Sequence, residues 1–349
     1  MFLKTQEQIM QNWIAMEVPL VSIRCITYNQ ERYIAQALDG FLMQETNFPF
    51  EIIVHDDASS DRTSQIIKEY EKNYPKIVKP IYETENQYSK KDNTLDRIIL
   101  PYLKGKYTAY CEGDDYWTNK EKLQKQIDFL EQNTDYGFCC TDVDIYYEDL
   151  DKYDYAVLKN KKTIINLDNA IESRGYMLNL TWVMKTDLYN KLVISSGTKF
   201  YIDTALKLFY DLNLNSKGKV LDFVTGVYRR NSGGLSAFSK EDEIKQYTFY
   251  KSFFSLIKEY IPKFKNVEET EKYFYFSLLP YVLSPAIKNN DIDIINDYVS
   301  YVSKTKGLFL CQLYNNIFEK ENEVKNSITY RLGNIILRPI KKIKKIIRK

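Results

Sequence analysis

The first part of the chain alternates short apolar runs with amphipathic segments. The apolar runs have the length of strands and end in polar turns, whereas the segments between them repeat apolar residues every three or four positions. The predicted strands lie at 20–26, 51–55, 78–82, 107–111 and 136–140, and the predicted helices at 3–16, 31–44, 63–74, 94–103 and 120–133. Pro80 places the third strand at a sheet edge. The alternation predicts an α/β fold with a mainly parallel sheet flanked by helices.

Beyond residue 140 the pattern changes. Residues 141–175 predict loops and a helix, and they are followed by a strand at 180–185, a helix at 204–212 and a strand at 219–228. Helical periodicity with many aromatic residues then runs from about 241 to 330. We therefore predict an α/β domain over 1–240, a helical C-terminal region over 241–330, and a basic tail over 331–349.

Acidic residues follow two of the predicted strands. The tetrad Glu112–Asp115 follows the strand at 107–111, and Asp56 with Asp57 follows the strand at 51–55. Adjacent carboxylates repel each other, but a divalent cation bound to phosphate makes them favourable. Because open α/β sheets bind ligands at the carboxyl ends of their strands, these acids predict one site for a metal-bound, phosphate-containing ligand. The simpler alternatives are helix capping for Asp56 and Asp57 and an exposed turn for Asp114 and Asp115.

Composition and charge restrict the protein class. The five cysteines form no C-x-x-C pair, which is typical of reduced, buried thiols in a cytoplasmic protein. The N-terminus has no apolar signal region, and no stretch approaches a membrane span. The last nineteen residues hold eight lysines and arginines and no acid, so the rest of the chain is mildly acidic. A body that binds nucleic acid is not expected on this balance.

The tail over 331–349 has an amphipathic pattern. Isoleucines recur at helical spacing after Pro339, and lysines and arginines occupy the other face. This pattern predicts an interfacial helix on an anionic membrane surface, the inner face of the plasma membrane. The alternative is a solvated, frayed terminus.

The chain resembles the family 2 glycosyltransferases, which have the GT-A fold with a Rossmann-like sheet. The resemblance rests on four segments in a specific order and spacing: Val21–Asn29, Ile53–Thr63, Glu112–Trp117 and Tyr228–Gly234. It covers about residues 8–237, and the most similar branch builds bacterial surface polysaccharides. The resemblance implies an inverting transfer of a sugar from a nucleotide-sugar donor, usually a UDP-sugar, to a saccharide or lipid-linked acceptor.

The resemblance also implies roles for residues of the nucleotide pocket. Thr27 and Tyr28 fall where this pocket begins, and Tyr28 would lie against the base. Asp57 matches the carboxylate that accepts a hydrogen bond from the base edge. Asp114 would contact the ribose or the metal, and Asp115 matches the acid that holds Mn²⁺ or Mg²⁺ on the diphosphate.

Four further residues complete the predicted site. Asn231 stands where the family often has histidine near the metal, and its carbonyl oxygen can still ligate a hard cation. Trp117 is expected in the pocket wall, with a core position as the alternative, and Arg229 is expected at the diphosphate. Asp203 matches the general base at the start of a helix, although it could equally be a helix N-cap.

Two other functions stay open at this stage. A sugar-1-phosphate nucleotidyltransferase would share the sheet and the metal, but it needs a Gly- and Arg-rich first loop that residues 27–31 do not provide. A non-catalytic subunit that binds nucleotide sugars would explain Asn231 and the weak match around Asp203.

Overall fold

The computed structural model describes residues 4–158, 164–165, 178–196, 202, 204–231, 243–264, 266–268, 271, 282–283 and 285–304 of the 349. The chain divides into two compact units, Met1–Ala237 and Phe238–Lys349. Several sequence predictions lie outside the described residues: the base Asp203, the Ser232–Gly234 end of the fourth matching segment, and the basic tail over 331–349.

The first unit is built on a sheet with ten strands in its described part. The strands are β1 (Val21–Thr27), β2 (Phe50–Asp56), β3 (Val78–Tyr82), β4 (Tyr107–Tyr110), β5 (Tyr116–Trp117), β6 (Tyr136–Tyr147), β7 (Lys152–Asp154), β8 (Ile164–Ile165), β9 (Val183–Lys185) and β10 (Lys217–Arg230). Their order is β3-β2-β1-β4-β9-β6-β10-β5, with β7 paired to β6 and β8 to β10.

The helices connect these strands and continue into the second unit. They are α1 (Gln6–Met10), α2 (Ile34–Leu42), α3 (Thr63–Asn73), α4 (Thr94–Ile99), α5 (Lys122–Gln132), α6 (Thr186–Ser195), α7 (Thr204–Asn215), α8 (Glu243–Tyr260) and α9 (Ile292–Lys304). The last two belong to the second unit. None of the helices among the described residues is both long and apolar enough to cross a bilayer.

The sheet is parallel in one half and mixed in the other. Strands β3, β2, β1 and β4 run parallel, with β3 at the edge as predicted. Beyond them β9 runs antiparallel to both β4 and β6, while β6 and β10 are parallel. The prediction of an α/β sheet is confirmed: β3, β2, β1 and β4 form a continuous parallel half, and the antiparallel strand β9 separates them from the parallel pair of β6 and β10.

The described part of the segment that follows residue 140 contains a hairpin that the sequence did not predict. Strand β6 continues to Tyr147, and β7 returns antiparallel to it, so the described residues up to 158 form a hairpin rather than a helix. Acidic residues in this strand interrupt the apolar pattern by which a strand is predicted. One of them, Asp142, has hydrogen-bond partners close by, because one of its carboxylate oxygens accepts from the backbone N–H groups of Val143 and Leu158. A polar residue at alternate positions is thus compatible with a strand here.

The position of β1 between β2 and β4 creates the crevice of the fold. Connections leave toward opposite sides of β1, and the carboxyl ends of the three strands meet at one edge. Helix α2 packs so closely on β5 that a Cβ atom at Gly40 would lie 2.8 Å from the backbone nitrogen of Trp117. Only glycine permits this approach, which fixes the end of the acidic segment against the core.

A lysine lies buried beneath that segment. Lys122 donates hydrogen bonds to Gln126 and to the carbonyl oxygen of Thr181, and its Nζ atom is 4.6 Å from the centre of the Trp117 ring. Burial lowers its pKa from 10.5 to about 7. The thiols of Cys111 and three other cysteines are also buried and unpaired: Cys25, Cys139 and Cys140.

The depressed pKa makes Lys122 a source of pH-dependent stability. Between about pH 7 and pH 10.5 the unfolded chain binds one more proton than the folded chain, so this group makes stability rise with pH by up to about 1.4 kcal/mol per unit. We expect Lys122→Met to lose this increment. Its free energy of unfolding relative to the parent should therefore fall as pH rises from 7 to 10.

Urea unfolding at a series of pH values measures this difference. Lys125→Met on the same helix is the matched control, because the Lys125 side chain is about half exposed. The control should keep a constant difference from the parent across the series. A constant difference for Lys122→Met as well would contradict the role of the buried amine.

Candidate active site

The acidic tetrad Glu112–Asp115 runs alongside the end of β1. The N–H of Cys111 donates to the carbonyl oxygen of Arg24 at 3.1 Å, and the N–H of Gly113 donates to that of Ile26 at 2.9 Å. A Cβ atom at Gly113 would lie 2.8 Å from Oγ1 of Thr27. The glycine therefore permits the close approach that holds the tetrad against β1.

The structure brings together four of the predicted site residues. The backbone N–H of Arg229 donates to Oδ1 of Asp115 at 2.8 Å, and its Nε donates to the carbonyl oxygen of Asp114 at 3.0 Å. Asn231 donates from Nδ2 to Oδ2 of Asp114 at 3.2 Å. The end of β10 thus binds the two aspartates. This contact joins residues far apart in the chain, so the sequence pattern gave no sign of it.

The carboxylates of this segment lie in a low-dielectric environment. Burial raises the pKa of Asp115 well above its usual range, and the charge of Asp114 raises it further. Burial also raises the pKa of Asp114, against the hydrogen bond from Asn231. Because burial and mutual repulsion disfavour two ionised carboxylates side by side, Asp114 and Asp115 are more stable in their ionised form when a cation is bound to them.

The carboxylates of the tetrad can supply part of a site for a divalent cation. Within the described residues no three His, Cys, Asp or Glu side chains converge as a complete metal site. The half-buried Asp114 and the buried Asp115 nevertheless provide adjacent oxygen ligands of the kind that Mg²⁺ and Mn²⁺ prefer. Because Mg²⁺ is commonly bound by one or two carboxylates together with substrate phosphates, these residues fit such an ion.

The pair at the end of β2 has two separate functions in the fold. Oδ1 of Asp56 accepts the N–H of Ser59 at 3.1 Å, which shapes the turn before α3. Asp57 is 1% exposed, and its two oxygens accept the N–H groups of Gln87 at 2.6 Å and Tyr88 at 3.0 Å. Asp57 therefore holds residues 87–88 beside the crevice, a contact that the sequence analysis did not predict.

Comparison with known proteins assigns the fold to a family. Residues 22–192 match the profile described as Glycosyl transferase family 2, a range that includes both acidic strand ends. The chain contains a family 2 glycosyltransferase domain. The predicted GT-A fold is confirmed as well, because solved glycosyltransferases of that fold superimpose on it.

Similar proteins are found in the bacteria Mycobacterium tuberculosis and Bacillus subtilis. An uncharacterized protein of Mycobacterium tuberculosis is 46% identical over 129 residues, which are 37% of this chain and 36% of that protein. A putative teichuronic acid biosynthesis glycosyltransferase of Bacillus subtilis is 32% identical over 152 residues, which are 42% of this chain and 55% of that protein. The matched part of the chain thus spans between about a third and a half of these relatives.

Two solved structures show the same fold at low identity. Staphylococcus aureus TarS 1–349 in complex with UDP-GlcNAc has a TM-score of 0.52 and 21% identity, over 77% of this chain and 72% of that one. A mannosyltransferase of Pyrobaculum calidifontis in complex with GDP-Man and Mn²⁺ also has a TM-score of 0.52, with 13% identity over 89% of both chains.

Three further residues that were predicted for the substrate pocket of the glycosyltransferase domain differ in how far their side chains are exposed to solvent. Thr27 is buried and donates to Oε1 of Gln30 at 2.7 Å, whereas Tyr28 is 47% exposed at the crevice edge of β1. Trp117 is 2% exposed, and its Nε1 donates to the carbonyl oxygen of Leu180 at 2.8 Å. The core position that the sequence left as the alternative is therefore the one that Trp117 occupies.

The most important contact that the sequence analysis missed belongs to Arg24. This side chain is 2% exposed in the middle of the sheet, and it donates to Asp96 at 2.6 Å and to Glu112 at 3.0 Å. Its guanidinium lies 3.9 Å from the centre of the Tyr110 ring. A single arginine in an otherwise apolar strand was the available signal, since buried cations require partners.

A cavity lies next to this cluster in the glycosyltransferase domain. It is lined by Asn93, Asp96, Tyr110, Tyr189, Leu192, Val193, Ser196, Thr204, Lys207, Leu208 and Asp211. Tyr110 immediately precedes the segment of the acidic tetrad, and Thr204 begins α7. The cavity thus connects the end of β4 with the start of that helix.

Removal of the Arg24 guanidinium should leave the half-buried carboxylates of Asp96 and Glu112 without their cation. We expect Arg24→Met to lower the free energy of unfolding by about 3–5 kcal/mol, the usual effect of breaking a buried ion pair. Chemical denaturation at neutral pH measures this loss.

The double variant Arg24→Met with Glu112→Gln separates charge from packing. Its stability should recover in part, because one of the two unpaired charges is gone. Arg32→Met is the control, since the Arg32 side chain is 69% exposed in its ion pair. A loss for Arg24→Met no larger than that of the control would contradict the role assigned to Arg24.

Proposed function

We propose that this protein is an inverting glycosyltransferase that moves a sugar from a UDP-sugar to a saccharide or lipid-linked acceptor in the synthesis of a bacterial surface polysaccharide. The observation that carries the proposal is the adjacent pair of the half-buried Asp114 and the buried Asp115, held by the end of β10 at the carboxyl edge of the parallel strands. An enzyme that cleaves a nucleotide diphosphate needs cation-binding carboxylates at such an edge.

The comparisons support this class of substrate. TarS is a poly(ribitol-phosphate) β-N-acetylglucosaminyltransferase whose structure contains UDP-GlcNAc, and the Bacillus relative is named for teichuronic acid synthesis. In the proposed complex the exposed ring of Tyr28 lies against the base. Thr27 lines the floor of the pocket, and Asp57 shapes it through residues 87–88 or accepts a hydrogen bond from the base edge.

Mn²⁺ or Mg²⁺ would be held by Asp115 and Asp114, with Asn231 as a further oxygen ligand. When bound, the ion stabilises negative charge on the leaving diphosphate. Two neighbouring residues hold these carboxylates in position. Arg229 and Asn231 orient the two carboxylates through the hydrogen bonds described above, and Arg229 adds positive charge beside the diphosphate.

The general base is proposed to be Asp203. It immediately precedes Thr204, which lines the cavity that Tyr110 also lines beside the acidic tetrad. A carboxylate at the start of α7 can accept the proton of an acceptor hydroxyl on the side opposite the leaving group. Cytoplasmic location and peripheral attachment of the tail over 331–349 to the anionic inner membrane surface stay predictions.

The experiment that tests the function is a screen of nucleotide sugars for metal-dependent donor hydrolysis by the purified protein. Hydrolysis of one donor, dependent on added Mn²⁺ or Mg²⁺, would establish the enzyme and identify its donor. Binding of nucleotide sugars without turnover would favour the non-catalytic subunit instead.

The metal proposal predicts a thermal shift that does not depend on turnover. Mn²⁺ with UDP should raise the unfolding temperature of the parent protein, because a ligand at 100 times its Kd stabilises by about 2.7 kcal/mol. We expect Asp115→Asn to lose most of this shift and the metal-dependent activity. Asp128→Asn, an exposed acid on α5, should keep both. An unchanged shift in Asp115→Asn would exclude this carboxylate as a ligand.

The base proposal predicts a separation of rate from binding. Asp203→Asn should lower kcat for transfer by about 10²–10⁴-fold and change the affinity for the donor little. Steady-state kinetics of transfer, together with calorimetry of donor binding, measure both quantities. Asp187→Asn at the exposed start of α6 is the matched control. Normal turnover by Asp203→Asn would assign the base to another carboxylate.

A further inference from the structure

Three tyrosines form a stacked row on the β6–β7 hairpin. Tyr146 and Tyr153 are register partners across the two strands, and their ring centres are 4.5 Å apart with 30° between the planes. Tyr155 continues the row, with its ring centre 5.6 Å from that of Tyr153 and only 9° between the planes. We call Tyr146, Tyr153 and Tyr155 the tyrosine row.

The inner end of the tyrosine row reaches the proposed active site. The Tyr146 ring lies 5.6 Å from the guanidinium carbon of Arg229, the residue whose backbone N–H binds Asp115. The hydroxyl groups of Tyr153 and Tyr116 are 3.3 Å apart, and Tyr116 directly follows the acidic tetrad. The row therefore leads outward from the two aspartates.

The outer end of the row lies in solvent. Tyr155 is 72% exposed although its ring is parallel to that of Tyr153. A cross-strand pair of aromatic rings stabilises a hairpin, which accounts for Tyr146 and Tyr153. It does not account for a third parallel ring held mainly in water, where little apolar surface is buried. Such a ring is suited to a ligand.

The chemistry of the row matches a sugar ring. The face of an aromatic ring is electron-rich, and a pyranose presents a face of weakly positive C–H groups with hydroxyls around its rim. The hairpin tip carries the acids Glu148, Asp149, Asp151 and Asp154 and a single lysine, Lys152. Glu148 is paired with Arg32 and Asp154 with Lys152, which leaves Asp149 and Asp151 as the excess negative charge of the tip. These two acids would repel a polyanion, so the tip favours a neutral saccharide.

The position of the row separates it from the nucleotide pocket. Tyr28 and Asp57 lie at the ends of β1 and β2, whereas the tyrosine row lies on β6 and β7, beyond β4 and β9 in the sheet order. The acidic tetrad lies between the two regions. A ligand on the row would thus approach the metal-binding acids from the β6 side of the sheet, whereas Tyr28 and Asp57 lie on the β1–β2 side, and an acceptor needs an approach that the nucleotide does not occupy.

We propose that the tyrosine row is the binding platform for a neutral acceptor saccharide, whose sugar rings stack on Tyr155 and Tyr153 and whose end points toward Asp115. This inference rests on the proposed glycosyltransferase function. It adds the side of acceptor entry, the chemical class of the acceptor, and the residues that recognise it.

The test is binding of the 349-residue protein, with UDP and Mn²⁺, to an array of defined oligosaccharides. The array contains neutral hexose and N-acetylhexosamine oligomers, with polyribitol phosphate and uronic acid polymers as anionic members. The parent should bind neutral members. Tyr155→Ala should weaken this binding about three- to tenfold, the effect of losing one aromatic stacking contact. Tyr155→Phe should bind like the parent, because it keeps the ring.

Two controls separate stacking from general damage. Tyr102→Ala removes a tyrosine that is 48% exposed elsewhere on the domain, and it should not change glycan binding. Unfolding temperatures of all variants should stay close to that of the parent, since Tyr155 is exposed. The loss in Tyr155→Ala should also exceed any change in its affinity for UDP.

The possible outcomes distinguish the platform from the enzyme. The proposal is overturned if no neutral glycan binds, if only anionic members bind, or if Tyr155→Ala binds like the parent. Donor hydrolysis by the same preparation without glycan binding keeps the transferase and rejects the platform. Glycan binding that requires the Tyr155 ring, without hydrolysis of any donor, supports the platform and rejects the proposed function.

Discussion

The rest of the structure depends on the electrostatic requirements of carboxylates gathered at one buried edge of a sheet. Each acid there has a different source of stabilisation. Glu112 has the buried guanidinium of Arg24, and Asp57 has two backbone N–H groups of residues 87–88. Asp114 and Asp115 share only neutral hydrogen bonds and the charge of Arg229, and burial still raises the pKa of both. The pair with the least compensation is therefore where a cation gains most.

This requirement explains why the central part of the sheet is built so tightly. Arg24 reaches Glu112 and Asp96 only because its strand, β1, lies between β2 and β4. The tetrad in turn approaches β1 closely because residue 113 has no side chain, and a Cβ atom there would lie within 3 Å of Thr27. Movement of one strand end would separate the arginine from its acids, and the buried charge of Arg24 would lose both ion pairs.

Local pattern was sufficient to predict the strands, their acidic ends and the edge position of β3, because these depend on apolar runs and on Pro80. It could not give the partners of Arg24, the contact of Asp57 with residues 87–88, or the binding of Arg229 to the tetrad, since these join residues far apart in the chain. The β6–β7 hairpin was missed for a different reason. Acids such as Asp142 occupy alternate strand positions, and only their backbone partners on the returning segment make that pattern favourable.

The abundance of tyrosine has a similar explanation, which composition alone could not supply. The 30 tyrosines of the chain could reflect coding bias, but several of them surround cations at defined distances. Tyr110 lies under Arg24, and the rings of Tyr33, Tyr116 and Tyr146 lie 4.8, 5.2 and 5.6 Å from the guanidinium carbon of Arg229. A tyrosine ring offers a cation an electron-rich face while its hydroxyl group stays hydrogen-bonded. Tyrosine rings can thus position the arginines that orient the carboxylates. They do so without adding negative charge to the edge of the sheet where the acids of the tetrad already lie close together.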